Sequence, residues 1–282
     1  MVLLCRAGKP TLLLALLSCG VGVWLFIPVA ALAGINIPYT RYDWHIVFAL
    51  GGLIFGLGTS ANGGCSISTL SRLARGDWHM MATMFGWVVG WYVWILWAGP
   101  VAHVIEQGAV SNATIVFAVW FVIVFWSIKH PPESRRLWFA IMAVGLLAGA
   151  MFLLEPHWAP SYLVQHLAGT ALQGGIVMGP RETQYWVFLG LLAGMLIAAL
   201  VTRRFVCQRI HIHKLVLHLT AGIAMGVGAC MAMGGNDTHV LFGLPAASPA
   251  ALLAVVGMLV GSYLGLVIRQ PLLRLGSHLG LN

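Results

Sequence analysis

A chain of 282 residues that is 60% hydrophobic and 8% charged, with a mean hydropathy of +0.91, lacks the polar surface of a soluble globular protein and reads as an integral membrane protein. Its formal net charge of +8 is not gathered into one basic run or face, so no nucleic-acid partner is expected and the lipid bilayer is. At roughly 20 residues per crossing, this length holds about eight to ten spans with short loops, leaving no large soluble domain in which to expect enzymatic chemistry.

Apolar runs between polar breaks predict membrane helices near residues 11–33, 45–63, 79–104, 113–128, 137–154, 185–201, 215–233 and 249–268. The first follows Arg6 and Lys9 and loosely resembles a signal peptide, with "LLSC" before Gly20. It stays apolar to about Ala33, however, so an uncleaved first helix is expected. Residues 156–179 are moderately apolar and interrupted by glycines, as a surface or re-entrant helix would be. The expected fold class is an all-α integral membrane protein with about eight to nine transmembrane helices plus broken or re-entrant helices.

With a cytoplasmic N-terminus, alternate loops carry thirteen of the fifteen basic residues, from Arg6 and Lys9 to Arg269 and Arg274. The opposite side keeps Arg41 and Arg181 with five of the seven acids: Asp43, Glu106, Glu155, Glu182 and Asp237. The positive-inside rule then puts both termini in the cytoplasm. The five cysteines, Cys5, Cys19, Cys65, Cys207 and Cys230, lack metal-site spacing and do not suggest a disulfide framework. His211, His213 and His218 sit in a basic loop or at a helix start, where no haem or metal is expected, and no cofactor motif is present.

Two stretches are alike. "GGLIFGLGTSANGGCS" (Gly51 to Ser66) and "AGIAMGVGACMAMGGNDT" (Ala221 to Thr238) both run Gly-x-Gly, four or five residues, then Gly-Gly and a polar residue, Cys65 in the first and Asn236 in the second. On the topology above they run in opposite directions. Residues 1–154 and 155–282 are therefore expected to be two halves of an inverted-topology repeat, the plan of many secondary transporters, whose broken helices point to the substrate site.

A Gly-Gly pair ends or kinks a helix and frees backbone N–H groups that cannot stay unpaired in hydrocarbon. A second short helix starting near Ser66 and running through "STLSRLAR" would aim its N-terminal amides at the break, a setting that favours an anion. Cys65 would face that anion as a neutral thiol, a soft, weak donor suited to a sulfur-bearing species. The candidate pathway residues are Asn62, Gly63, Gly64, Cys65 and Ser66 in the first copy, and Cys230, Gly234, Gly235 and Asn236 in the second. Asp237 and Arg72 adjoin the breaks as candidates for gating or substrate contact. The clustered methionines and the aromatic "GWVVGWYVWILW" read as packing and interfacial residues.

"GGLIFGLGTSANGGCSISTLSRLARGDWHMMATMFGWVVGWY" resembles the YeeE/YedE family of membrane proteins, whose pattern is Gly-x-Gly, Gly-Gly-Cys, Thr-Leu, Arg-Leu and Gly-Asn or Gly-Asp ahead of a long helix. "GGNDTHVLFGLPAASP" is similar to a variant of the family's later motif. The resemblance implies a bacterial inner-membrane sulfur transport protein. Characterised relatives take up thiosulfate, passing it between cysteines by S–H hydrogen bonds, often beside a TusA-like cytoplasmic sulfur carrier. Cys65 falls on the Gly-Gly-Cys cysteine, while Asn236 stands where thiosulfate-type members carry a second one. Segment 156–179 also lacks a cysteine that many relatives have, which leaves another sulfur or selenium species open as substrate.

The expected function is thus a permease, not an enzyme, that takes up a small sulfur-containing anion past Cys65 and the backbone amides of two breaks. The rival is a membrane subunit of a redox or sulfur-transfer enzyme.

Overall fold

The structure is a computed structural model and describes residues 19–34, 40–98, 104–107, 132–155, 158–172 and 181–278, with isolated positions at 16, 118, 121, 122, 125 and 129. Most of the expected span at 113–128 lies outside the described residues, as does Cys5. Two short helices, α1 (Val21–Trp24) and α2 (Phe26–Leu32), precede strand β1 (Thr40–Tyr42). Then come α3 (Ile46–Asn62), α4 (Ser66–Ala74), α5 (His79–Ala98), strand β2 (Val104–Gln107) and α6 (Pro132–Leu154). The remainder is α7 (Pro160–Leu172), α8 (Glu182–Val201), α9 (Ile212–Met231), α10 (Asn236–Thr238), a π-helical turn His239–Gly243, and α11 (Pro249–His278).

Among the described residues, five segments are long and apolar enough to cross a membrane: Ile46–Ala74, His79–Ala98, Glu182–Val201, Ile212–Met231 and Pro249–Ile268. The apolar stretch of α8 is only 11% buried, against 50% in the segments holding α3, α9 and α11. Among the described residues helix α8 therefore lies at the rim, and α3, α9 and α11 form the centre. Segment 156–179, which reads as a surface or re-entrant helix, contributes α7, whose Leu163, Val164 and Ala168 are buried.

Loops assigned to one side by charge do touch one another. Strand β1 pairs antiparallel with β2, setting Arg41 opposite Glu106, and Arg181 reaches Glu155 at 2.7 Å. On the other side, the amides of Val206 and Gln208 donate to the carbonyls of Arg75 and Gly76.

The centre is built by glycines that let backbones meet, since small residues set how closely membrane helices approach. Helix α3 packs on α11 and α9, and α9 packs on α5. These contacts come in matched pairs: a Cβ at Gly52 would strike the Ala254 carbonyl, and one at Gly222 the Thr83 carbonyl. Likewise Gly257 lies against the Ala49 carbonyl and Gly86 against the Leu219 carbonyl. Phe55, Trp87, Trp91, Met225, Ala229 and Met258 fill the space between these helices.

Candidate functional site: two helix breaks joined by hydrogen bonds

Both glycine motifs end their helices with the same backbone turn. Gly63 (φ +79°) and Met233 (φ +58°) are left-handed. The amides of Gly63 and Gly64 donate to the Ser60 and Thr59 carbonyls, and those of Met233 and Gly234 to the Cys230 and Ala229 carbonyls. This paired capping pattern satisfies carbonyls that the helix end would otherwise leave open. The chain then turns extended, at φ −82°, ψ −176° for Cys65 and φ −83°, ψ −173° for Gly235. Each begins a new helix, α4 at Ser66 and α10 at Asn236, with no side chain capping the new amides.

The short helix expected from Ser66 is present, but the two motifs register differently from the sequence comparison. Cap for cap, Cys65 matches Gly235 and Ser66 matches Asn236. The Gly-Gly pairs mislead because the second copy fills its left-handed position with Met233, so its glycines lie one step later.

The two breaks meet. Ser66 Oγ donates to Asn236 Oδ1 at 2.8 Å and approaches Asp237 Oδ1 at 3.2 Å. Asp237 Oδ2 accepts the Ser161 amide at 2.9 Å, and the Ser161 and Thr238 hydroxyls lie 2.7 Å apart. Helix α7 thus closes the junction, and Ser66, Ser161, Asn236 and Asp237 are all buried. Beside them lies a cavity of about 80 Å³ whose lining includes Tyr42, Trp158, Tyr162, Gln165, Met233 and Asp237, room for several water-sized groups.

Cys65 is half-buried, and its carbonyl accepts the Thr69 amide at 2.9 Å and the Ser68 and Thr69 hydroxyls at 2.9 and 3.0 Å. Cys230 is buried among Phe55, Trp87, Trp91 and Met225 and does not line the cavity.

Asn62 organises the first break from behind. Its Nδ2 donates to the Gly64 carbonyl at 3.0 Å and to Thr69 Oγ1 at 2.8 Å. Its Oδ1 receives Thr83 Oγ1 at 2.8 Å and His218 Nδ1 at 2.9 Å, and its carbonyl takes Arg72 Nη1 at 2.8 Å. Arg72 also pairs with Asp77 at 2.8 Å. His79 Nε2 accepts the His211 amide at 3.0 Å, so its Nδ1 is the atom that donates to Asp77 at 2.9 Å. Burial alone would push the pKa of Asp77 up, but the His79 and Arg72 bonds and the Arg72 charge outweigh it and hold the carboxyl pKa below its ordinary value.

The sequence matches the family described as Sulphur transport over residues 4–264. The chain belongs to that family. It is also 23% identical over 249 residues to the thiosulfate transporter TsuA of Spirochaeta thermophila, an alignment covering 76% of this chain and 74% of that protein. Family and relative are transporters rather than enzymes, so the chain is a multi-pass membrane transport protein and the redox-subunit reading is not favoured.

Sequence reasoning picked out Asn62, Cys65, Ser66 and Asn236 but missed what binds them. Asp237, a candidate for gating or substrate contact from its place beside the break, is buried in the junction, whereas Glu155 reads in the sequence only as a loop charge. Glu155, also buried, accepts Thr183 Oγ1 at 2.6 Å and Gln184 Nε2 at 3.1 Å. Asp237 was findable, because it follows the first residue of the helix that restarts after the break.

Proposed function

We propose that this chain is an inner-membrane permease, with both termini cytoplasmic, that takes up a small sulfur-containing anion such as thiosulfate or a related sulfur or selenium species. Residues 1–154 and 155–282 form the two halves of an inverted repeat. Support comes from glycine contacts that occur in matched pairs and from two helix breaks with the same cap. Such a pair of broken helices near the midplane is where alternating-access transporters bind substrate.

The observation that carries the reading is the bond from Ser66 to Asn236 and Asp237, which ties the breaks together one residue from Cys65. The first-turn amides of α4 carry the positive end of the helix dipole and receive the anion, and the Cys65 thiol donates to its terminal sulfur or oxygen. Gly63, Gly64, Gly234 and Gly235 hold the two breaks open as backbone surfaces. In this state Cys230 faces its helix neighbours, and a pathway role for it requires α3 and α9 to part. On the cytoplasmic side a TusA-like carrier receives the cargo.

Growth of a sulfate-uptake-deficient bacterium on thiosulfate, with labelled-thiosulfate uptake, tests this. The wild-type chain restores growth, and Cys65→Ser, folded to the same level, takes up thiosulfate at least about tenfold more slowly. Equal uptake by the two would remove Cys65 from the path.

A further inference from the structure

We infer that Asp237 binds a proton for each anion carried, making the transport proposed above a proton–anion symport; the inference rests on that reading. Asp237 is 3% exposed and lines the cavity beside the joined breaks. Its carboxyl meets the Ser66 hydroxyl and the Ser161 amide. Among the described residues no Arg, Lys or His reaches it, for Arg72 pairs with Asp77 and Arg181 with Glu155. The titratable groups around it are Tyr42 from the β1 end and Tyr162 from α7, both on the cavity wall, Cys65 next to Ser66, and His239 two residues on in its own segment.

The fold does not require a carboxyl here. By cap register the matching residue of the first break is Ile67, the position after the first residue of α4, and it lines an apolar groove. A buried carboxylate without a cation is costly, and a second anion brought beside it in a low-dielectric setting makes both costlier. Protonation removes the conflict and also converts Asp237 from an acceptor into a donor that an anion can use. Anion entry and proton uptake are thereby one event. The proton comes from the outer water, resides on the carboxyl while the anion is bound, and leaves to the cytoplasm with it, with no covalent step.

The test uses the full chain in proteoliposomes with the membrane potential clamped, thiosulfate as probe and a pH-sensitive dye inside. With an acidic exterior, the wild type accumulates thiosulfate at least about fivefold above the level without a gradient, a fraction of the tenfold that one pH unit supports. The dye reports proton entry only when thiosulfate is added. Asp237→Asn loses both signals, and its residual thiosulfate exchange no longer varies between mildly acidic and mildly alkaline buffer. Asp237→Glu restores the pH dependence. Thiosulfate transport by the wild type without proton entry, or gradient-driven accumulation by Asp237→Asn, overturns the symport while leaving the permease standing. A wild type that moves neither thiosulfate nor protons overturns both.

Discussion

The two helix breaks share a backbone but are braced by opposite chemistry. Behind the first stand Asn62, Thr83 and His218, joined by hydrogen bonds. Cap register and the matched glycine contacts set these opposite Ala232, Ala254 and Phe48, and those three lie together in an apolar cluster with Ala250. Hydroxyl, imidazole and amide at one corner become methyl, phenyl and methyl at the other, around the same cap. The fold is content with either, so the polar corner is not a demand of the backbone turn. Polarity was placed on the side where Arg72, Asp77, His79 and His211 continue the network.

What the two corners do share is close backbone contact, and breaking it has the largest expected effect. Gly52→Leu drives a side chain into the Ala254 carbonyl, and Gly222→Leu drives one into the Thr83 carbonyl. Because a carbonyl cannot yield like the end of a flexible side chain, each change is expected to cost more than about 3 kcal/mol. Both variants should lose the monodisperse peak in detergent size-exclusion chromatography and lose uptake to a similar degree. A clear difference between them would mean that the matched contacts are not equivalent.

Asn62→Ala is the next largest and sharpens the comparison directly. It removes one hydrogen bond each from Thr83 and His218 and the amide that serves Gly64 and Thr69, all within the buried corner, an expected loss of about 2–4 kcal/mol in thermal unfolding. The triple variant Asn62→Ala, Thr83→Ala, His218→Phe copies the other corner and removes both ends of the Thr83 and His218 bonds, although the Gly64 carbonyl and Thr69 Oγ1 still lose the Asn62 amide. It should recover part of that stability, because removing both ends of a buried bond costs less than removing one. If the triple variant is as unstable as the single one, the two corners are not interchangeable supports.

Much of this was legible in sequence because membrane folding leaves broad marks. Apolar runs of spanning length gave α3, α5, α8, α9 and α11, and the Gly-Gly break with a helix restarting at Ser66 followed from the freed amides of "ANGGCSIST". The register of the second copy was not legible. A left-handed position normally calls for glycine, and Met233 occupies it, so matching glycine to glycine displaced the comparison by one residue. The burial of Asp237 was hidden for another reason. Its partners, Ser66 and Ser161, come from α4 and α7, and a carboxylate beside a loop looks like an ordinary surface charge until those helices are in place. The π-helical turn at His239–Gly243 likewise has no composition of its own.

The smallest effect comes from exchanging the two left-handed residues themselves. Met233 holds φ +58°, a conformation that costs a residue with a Cβ about 1–2 kcal/mol and glycine almost nothing. Met233→Gly removes that strain but also gives up a side chain packed against the cluster of Phe48, Ala250 and Ala254, and it loosens the unfolded chain. These effects oppose each other, so the net change in unfolding free energy should stay within about 1 kcal/mol. Gly63→Met adds strain at φ +79°, which the stiffening of the unfolded chain offsets only in part. Thermal unfolding of the pair in the same detergent should therefore place Gly63→Met clearly below wild type and Met233→Gly near it. The reverse order would show that the side chain of Met233, rather than the backbone turn it completes, holds the second break in place.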